Sequence, residues 1–223
     1  LLCIREWKWK PDPETDIVGW LECVRIVVDG SKDARCKKSF YAVTPDRTVV
    51  FLALSMSATH RESRIKADAV RAYLNAPSID KNIVVIAPDS MKKLPRESLL
   101  IKGLYGSKGG ALSWEVWVDN KLVNGMQYVK CDVARGVYIK QKDNKVMRML
   151  RHSDDFMMHD KVRESLQEEF VRLGTKMRIT GGESFDRFLG CDIKVIDSTT
   201  GQAKSDGDIV LIRQVEKIIE MKV

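Results

Sequence analysis

The pair Asp154-Asp155 is the most chemically demanding feature of the chain, because it stands between the apolar runs 146–150 and 156–158. Carboxylates beside such strands need compensation, since burying an unpaired charge is costly. A solvated β-hairpin turn would provide it, Asp and Ser being common turn formers. A divalent-metal site would provide it differently: hard cations such as Mg²⁺ take carboxylate oxygens, and a hairpin tip holds two of them rigidly. Such a site wants a third carboxylate from elsewhere. Asp68 is the candidate, within residues 64–77, which read as a short strand running into a turn; a helix cap is its simpler role.

The chain that must position these groups has 223 residues, 44% hydrophobic and 31% charged, enough for one ordinary domain or two small subdomains. Its net charge of +7 favours a polyanionic partner, although the excess is spread along the chain. Cys3, Cys23, Cys36, Cys131 and Cys191 form no C-x-x-C pair, which fits reduced thiols in a cytosolic or nuclear compartment rather than zinc ligands. No apolar run approaches the ~20 residues of a membrane span, and no secretion signal opens the chain. A start at Leu-Leu-Cys and a last segment that reads as a helix suggest a fragment of a longer polypeptide.

Residues 1–20 lack a regular period and read as irregular, with an edge strand possible. Residues 20–30 read as a strand entering the Asp29-Gly30 turn, followed by a basic loop carrying Lys32, Arg35, Lys37 and Lys38. A helix over 49–60 starts at Thr44 or Asp46 as cap, and 83–87 is a β run. The glycine-rich 104–110 segment fails the Walker pattern, because Gly109 follows Lys108, so a Walker NTPase is rejected. A helix spans 110–124, with its two tryptophans as core. Strands follow over 133–140 and 145–151 around a turn at 142–144, then the acidic hairpin. An amphipathic helix over 160–174 buries Val162, Leu166, Phe170 and Leu173. Strands at 177–180 and 188–196, a polar turn at 197–208, and a strand plus helix over 209–223 complete the chain. The pattern predicts an α+β fold, an antiparallel sheet covered by helices on one side.

Four stretches taken in order carry a resemblance. They are D-A-V-R-A-Y-L-N-A from Asp68, L-Y-G-S-K from Leu104 with Trp114 beyond it, the Asp154-Asp155 hairpin, and F-L-G ending at Gly190. The chain resembles, from about Arg25 onward, the reverse transcriptase of copia-type LTR retrotransposons. That family reads approximately D-V-x-x-A-F-L-N-G, L-Y-G-L-K-Q-x-x-x-x-W, Y-V-D-D and F-L-G-I-E-I. The resemblance implies a polymerase palm with fingers and a largely absent thumb: a fingers-like part at 1–67, a palm at 68–208 with more of the fingers inserted near 77–103, and the start of the thumb connection at 209–223.

It also implies an RNA-directed DNA polymerase in which Asp68, Asp154 and Asp155 hold Mg²⁺ or Mn²⁺ and catalyse nucleotidyl transfer to a primer 3′-hydroxyl. Arg25, Ala69, Tyr73 and Lys108 become nucleotide-binding positions, Tyr73 as the aromatic residue under the incoming sugar and Arg25 as a grip on the triphosphate. Leu189 and Gly190 would position the primer end. The implied partners are a primed RNA or DNA template, deoxynucleoside triphosphates and other Pol segments such as integrase and RNase H. The implied location is a cytoplasmic virus-like particle or the nucleus. Two departures stand out: His152 where the family has Tyr, and Gly109 where it has a Gln that braces the nascent base pair. The alternatives are a non-catalytic remnant that at most binds nucleic acid, and a generic Mg²⁺-dependent nuclease.

Overall fold

The computed structural model describes residues 1–11, 15, 17–30, 44–80, 82–89, 93, 95–142, 145–183, 185–189, 191–204 and 209–214. The basic loop carrying Lys32, Arg35, Lys37 and Lys38, residues 143–144 of the expected turn, Gly190, residues 205–208 of the polar turn and residues 215–223 of the expected strand-plus-helix segment lie outside them. The chain divides into two compact units, residues 1–42 with 71–117 and residues 43–70 with 118–223.

In the first unit, β1 (Leu2–Pro11) and β2 (Val18–Val27) form an antiparallel hairpin. The expectation of irregular chain over 1–20 is thereby corrected. Trp7 and Trp9 alternate with Lys8 and Lys10, a period of two, and Trp9 pairs across the strands with Trp20 at a ring separation of 5.7 Å. Leaving helix α1 (Arg47–Thr59) to the second unit, the first continues with the short helix α2 (Ala72–Asn75) and the paired strands β4 (Val84–Ile86) and β5 (Glu97–Leu99).

The second unit begins with α1 (Arg47–Thr59), capped as expected by Asp46, whose Oδ1 accepts from the Thr48 amide at 2.7 Å. Then β3 (Ser63–Ala69) enters a six-stranded antiparallel sheet in the order β10-β3-β9-β8-β7-β6. The other members are β6 (Val129–Lys130), β7 (Val137–Lys142), β8 (Lys145–His152), β9 (Asp155–Asp160) and β10 (Ile179–Gly181). The strand expected over 133–140 begins only at Val137. The helices α3 (Gly110–Met126), in which the unit boundary falls, and α4 (Arg163–Gly174) match the sequence patterns.

Alternation along β9 decides which helix lies where. Met158 points to the face on which Lys140 of β7 pairs with Glu169 of α4 at 2.8 Å and Tyr138 of β7 hydrogen-bonds Asp119 of α3. Met157 points the opposite way. With Leu150 it joins a core made with Val50 and Leu54 of α1 and with Phe185, Phe188, Ile193 and Val195. Helices therefore lie on both faces of the sheet, not on one. Phe188 and Ile193 belong to a small sheet of β11 (Arg187–Phe188), β12 (Cys191–Ile196) and β13 (Ile209–Gln214). The single strand expected over 188–196 is two, because the chain reverses between Phe188 and its partner Cys191, with Leu189 at φ +52°.

The face that carries α1 also buries charge. Glu62, just after α1, accepts from Arg148 at 2.7 Å and is hydrogen-bonded to His159 Nδ1 at 2.6 Å, while Arg64 Nε donates to Ser57 Oγ at 2.6 Å. Burial holds His159 below the usual imidazole range, outweighing the opposing pull of Glu62. Burial would raise Glu62, but its bonds and charge interactions with His159 and Arg148 prevail and hold it below the ordinary carboxylate value. Among the described residues, no helix is long and apolar enough to cross a membrane.

Candidate functional site

The acidic hairpin forms as its sequence predicts. His152 of β8 pairs with Asp155 of β9, leaving Ser153 and Asp154 as the turn, with Ser153 at φ +57°. Two-residue hairpin turns need this left-handed backbone, which is uncommon for residues other than glycine. A buried arginine braces it. Arg151, with no exposed surface, donates to the Ser153 carbonyl at 3.3 Å and to Tyr138 Oη at 3.3 Å, and pairs with Asp119 at 3.8 Å.

Asp68 arrives on the neighbouring strand. It is the direct cross-strand partner of Asp155, and the next amide, of Ala69, donates to the Asp154 carbonyl at 2.9 Å. The resemblance makes Ala69 a nucleotide-binding position, yet its side chain is buried and its amide is committed to the hairpin. Asp68, Asp154 and Asp155 are thus brought together at one end of the sheet. Burial first, then the charges of Asp154 and of Asp155, push the Asp68 carboxyl up to about 6, with Lys66 pulling it back.

Lys66 is a site residue that the sequence reading missed. It precedes Asp68 by two positions, so the strand period puts both on one face, and its Nζ lies 3.1 Å from Asp155 Oδ1. That spacing was a usable signal. A cleft of about 480 Å³ adjoins the hairpin, lined by Arg47, Phe51, Asp154, Asp155, Leu189 and Cys191 among others, so Leu189 shares a surface with the acidic pair. A second, of about 460 Å³, is lined by Lys66, Asp68, Thr180, Gly181, Glu183 and Asp186.

The all-oxygen donor set suits a hard cation, and the burial and mutual repulsion that raise Asp68 are what a cation would offset. In this arrangement, however, no three His, Cys, Asp or Glu side chains among the described residues are placed to hold a metal, and Lys66 already engages Asp155. The donors fit in chemistry, and Asp155 would join them only by leaving Lys66.

In the first unit, two of the expected nucleotide-binding residues gather on a third residue. Tyr73 and Tyr105 have ring centroids 4.6 Å apart, and the Arg25 guanidinium lies 5.6 Å from the centre of the Tyr105 ring. Tyr105 is held there because its carbonyl accepts from the Val28 amide at 2.7 Å. Gly106, at φ +82°, is obligatory beside it, since a Cβ would meet the Val28 carbonyl oxygen at 2.0 Å. Lys108 lies in the turn before α3, half-buried. Tyr105 was legible as part of L-Y-G-S-K, but its partnership with Arg25 spans parts of the sequence that no local pattern links.

A scan against protein-family models finds no match to this chain, and a search of curated proteins finds none either.

Proposed function

We propose that this chain is the palm and part of the fingers of an RNA-directed DNA polymerase of the copia-type retrotransposon class. It would act on a primed RNA or DNA template with deoxynucleoside triphosphates, within a polyprotein that also carries integrase and RNase H segments. The observation that carries the reading is the register of β3 on β9. It sets Asp68 opposite Asp155 with Asp154 at the adjoining turn, the three aspartates that the motif order singles out. Phosphoryl transfer asks little covalent chemistry of a protein, so positioned charge is the main requirement.

Bound Mg²⁺ or Mn²⁺ would supply activation of the primer 3′-hydroxyl and neutralisation of the leaving pyrophosphate. The chain's own residues have distinct tasks. Asp68 and Asp154 are the principal ligands and Asp155 supports them, while the Ala69 amide and Arg151 fix the turn that presents Asp154. The cleft side of Leu189 offers an apolar surface next to the hairpin, suited to a primer end. Arg25 and the rings of Tyr73 and Tyr105 offer a cation and aromatic faces, a combination suited to triphosphate and sugar.

Two observations favour a second reading, a remnant that binds nucleic acid without catalysis. They are the Lys66 ammonium on Asp155 and the absence of a bracing side chain at Gly109. Primer extension on a poly-A template separates the two. The polymerase reading expects weak, distributive, Mg²⁺- or Mn²⁺-dependent extension at low ionic strength, declining with salt as phosphate contacts weaken, and abolished in Asp154→Asn. Equal product from wild type and Asp154→Asn would sink it.

A further inference from the structure

Lys66 sets a positive charge beside the acidic group. Strand alternation sets it on the face of β3 that carries Asp68, and β9 presents Asp155 on that same face, within 3.1 Å of its ammonium. Like charges directly opposite in a sheet repel, and Asp68 with Asp155 is such a pair. The lysine sits beside that conflict and lines the same cleft as Asp68. Its side chain is about one third exposed, 31% by area, so it reaches the carboxylates from a position open to solvent. A lysine ammonium is a compact point charge on a flexible stem, able to leave one partner without dragging the backbone with it.

We infer that Lys66 is a built-in counter-ion of the acidic site, holding Asp155 when no divalent cation is bound and swinging away to let one in. Lys66 thereby sets the metal concentration at which the site fills. This rests on the reading of Asp68, Asp154 and Asp155 as a metal-dependent site. Two opposite consequences follow. Without metal, Lys66 relieves the repulsion among the three carboxylates. With metal, it is a positive charge beside a doubly positive ion, and entry requires its displacement. Neutralising Lys66 should therefore weaken the metal-free fold and tighten metal binding at once, a combination that an ordinary surface ion pair does not produce.

The test is equilibrium Mn²⁺ binding followed by electron paramagnetic resonance, with thermal melts in chelator and in Mn²⁺, on wild type, Lys66→Gln, Lys66→Arg and the triple variant Asp68→Asn, Asp154→Asn, Asp155→Asn. Lys66→Gln should bind Mn²⁺ about ten- to a hundredfold more tightly than wild type, the scale of one unit charge a few ångströms away in a medium between water and protein interior. It should also melt lower in chelator and gain more from Mn²⁺. Lys66→Arg keeps the charge and the fold, and should bind no more tightly than wild type. Wild type and Lys66→Gln binding alike, with both above the triple variant, would overturn the counter-ion role and leave the metal site standing. Tighter binding by Lys66→Arg would overturn it too, and keeps the test decisive if Lys66→Gln does not fold. Binding no better than the triple variant by any of them would remove the metal site, and the inference with it.

Discussion

Asp68 and Asp155 stand directly opposite one another across β3 and β9, two like charges at a cross-strand position that favours opposite ones. Their proximity has a consequence that can be read without any substrate. Burial and the charges of Asp154 and Asp155 push Asp68 up to about 6 from an unfolded value of 3.8, so folding favours its protonated form between those values. The stabilising contribution is fully present below the unfolded value and is lost as the pH rises through the folded one. Ionised Asp68 burdens the fold above about pH 6.

Asp68→Asn removes that burden. In chelator, the variant should melt above wild type by on the order of a few degrees at neutral pH, and the gap should close toward the unfolded carboxylate value. Melting curves of both proteins across that range check it. A gap that stays constant with pH would mean that packing, not charge, sets the difference.

His159 titrates in the other sense. Its folded value lies below its unfolded value of 6.5, so the stability it contributes is present above 6.5 and is lost as the pH falls through the folded value. Glu62, also depressed, adds acid sensitivity only below its unfolded value of 4.5. His159→Gln keeps a donor for Glu62 but cannot titrate. It should cost about 1 kcal/mol at neutral pH and show a shallower loss of stability on mild acidification. Denaturant unfolding in an Asp68→Asn background, which silences the opposing titration, isolates this effect. Parallel pH profiles with and without the His159→Gln change would rule it out.

What the sequence made legible follows from range. The helices α1, α3 and α4 and the acidic hairpin were readable because cap, period and turn residues are local: Asp46 before α1, and Leu166 with Leu173 along α4. The β1–β2 hairpin was missed although Trp7-Lys8-Trp9-Lys10 alternates. Trp7, Trp9 and Trp20 are all more than 60% exposed, so the alternation separates no buried face from a wet one. Polar groups buried through distant partners were illegible. Glu62 and His159 lie on different elements and meet only when β3 and β9 pair, and nothing near Arg151 announces Asp119. Lys66 is readable by the period of two from Asp68, but its pairing with Asp155 depends on the register of β3 on β9, which no local pattern fixes.

Arg151 and Asp119 should behave as a coupled pair. Arg151 is fully enclosed, and Asp119 also takes hydrogen bonds from Tyr138 and Lys130. Arg151→Met should cost about 2–3 kcal/mol, because it removes the donor to the Ser153 carbonyl and to Tyr138 and frees the turn, while Asp119 keeps Lys130. Asp119→Asn should cost more, about 3–5 kcal/mol, because it leaves the enclosed Arg151 guanidinium without that carboxylate. The double variant should fall short of the sum by about 1 kcal/mol or more, measured by urea unfolding in a double-mutant cycle. Strict additivity would show that the 3.8 Å pair contributes nothing.

The resemblance to copia-type enzymes would place a bracing Gln at Gly109, and the structure gives a reason that installing one should be costly. A Cβ built there would lie 1.9 Å from Asp80 Oδ2 and 2.7 Å from Asp80 Cγ, so the Asp80 carboxylate fills the space a side chain needs. The obstruction is steric alone, because Gly109 is not in the left-handed region. Asp80 cannot simply retreat with its backbone. Its amide donates to Ser78 Oγ at 3.2 Å, and the adjacent Ile79 amide donates at 3.0 Å to Ser113 Oγ, which itself bonds the Gly109 carbonyl at 2.7 Å. Gly109→Gln should therefore destabilise by about 1–3 kcal/mol, the usual range for overpacking a filled site. Asp80→Gly in the same chain should restore most of that loss. Urea unfolding of wild type, the two single variants and the double variant decides it: losses that merely add would show that Asp80 swings aside freely. If the polymerase reading is right, the double variant should also lower the KM for deoxynucleotides, which neither single change should do.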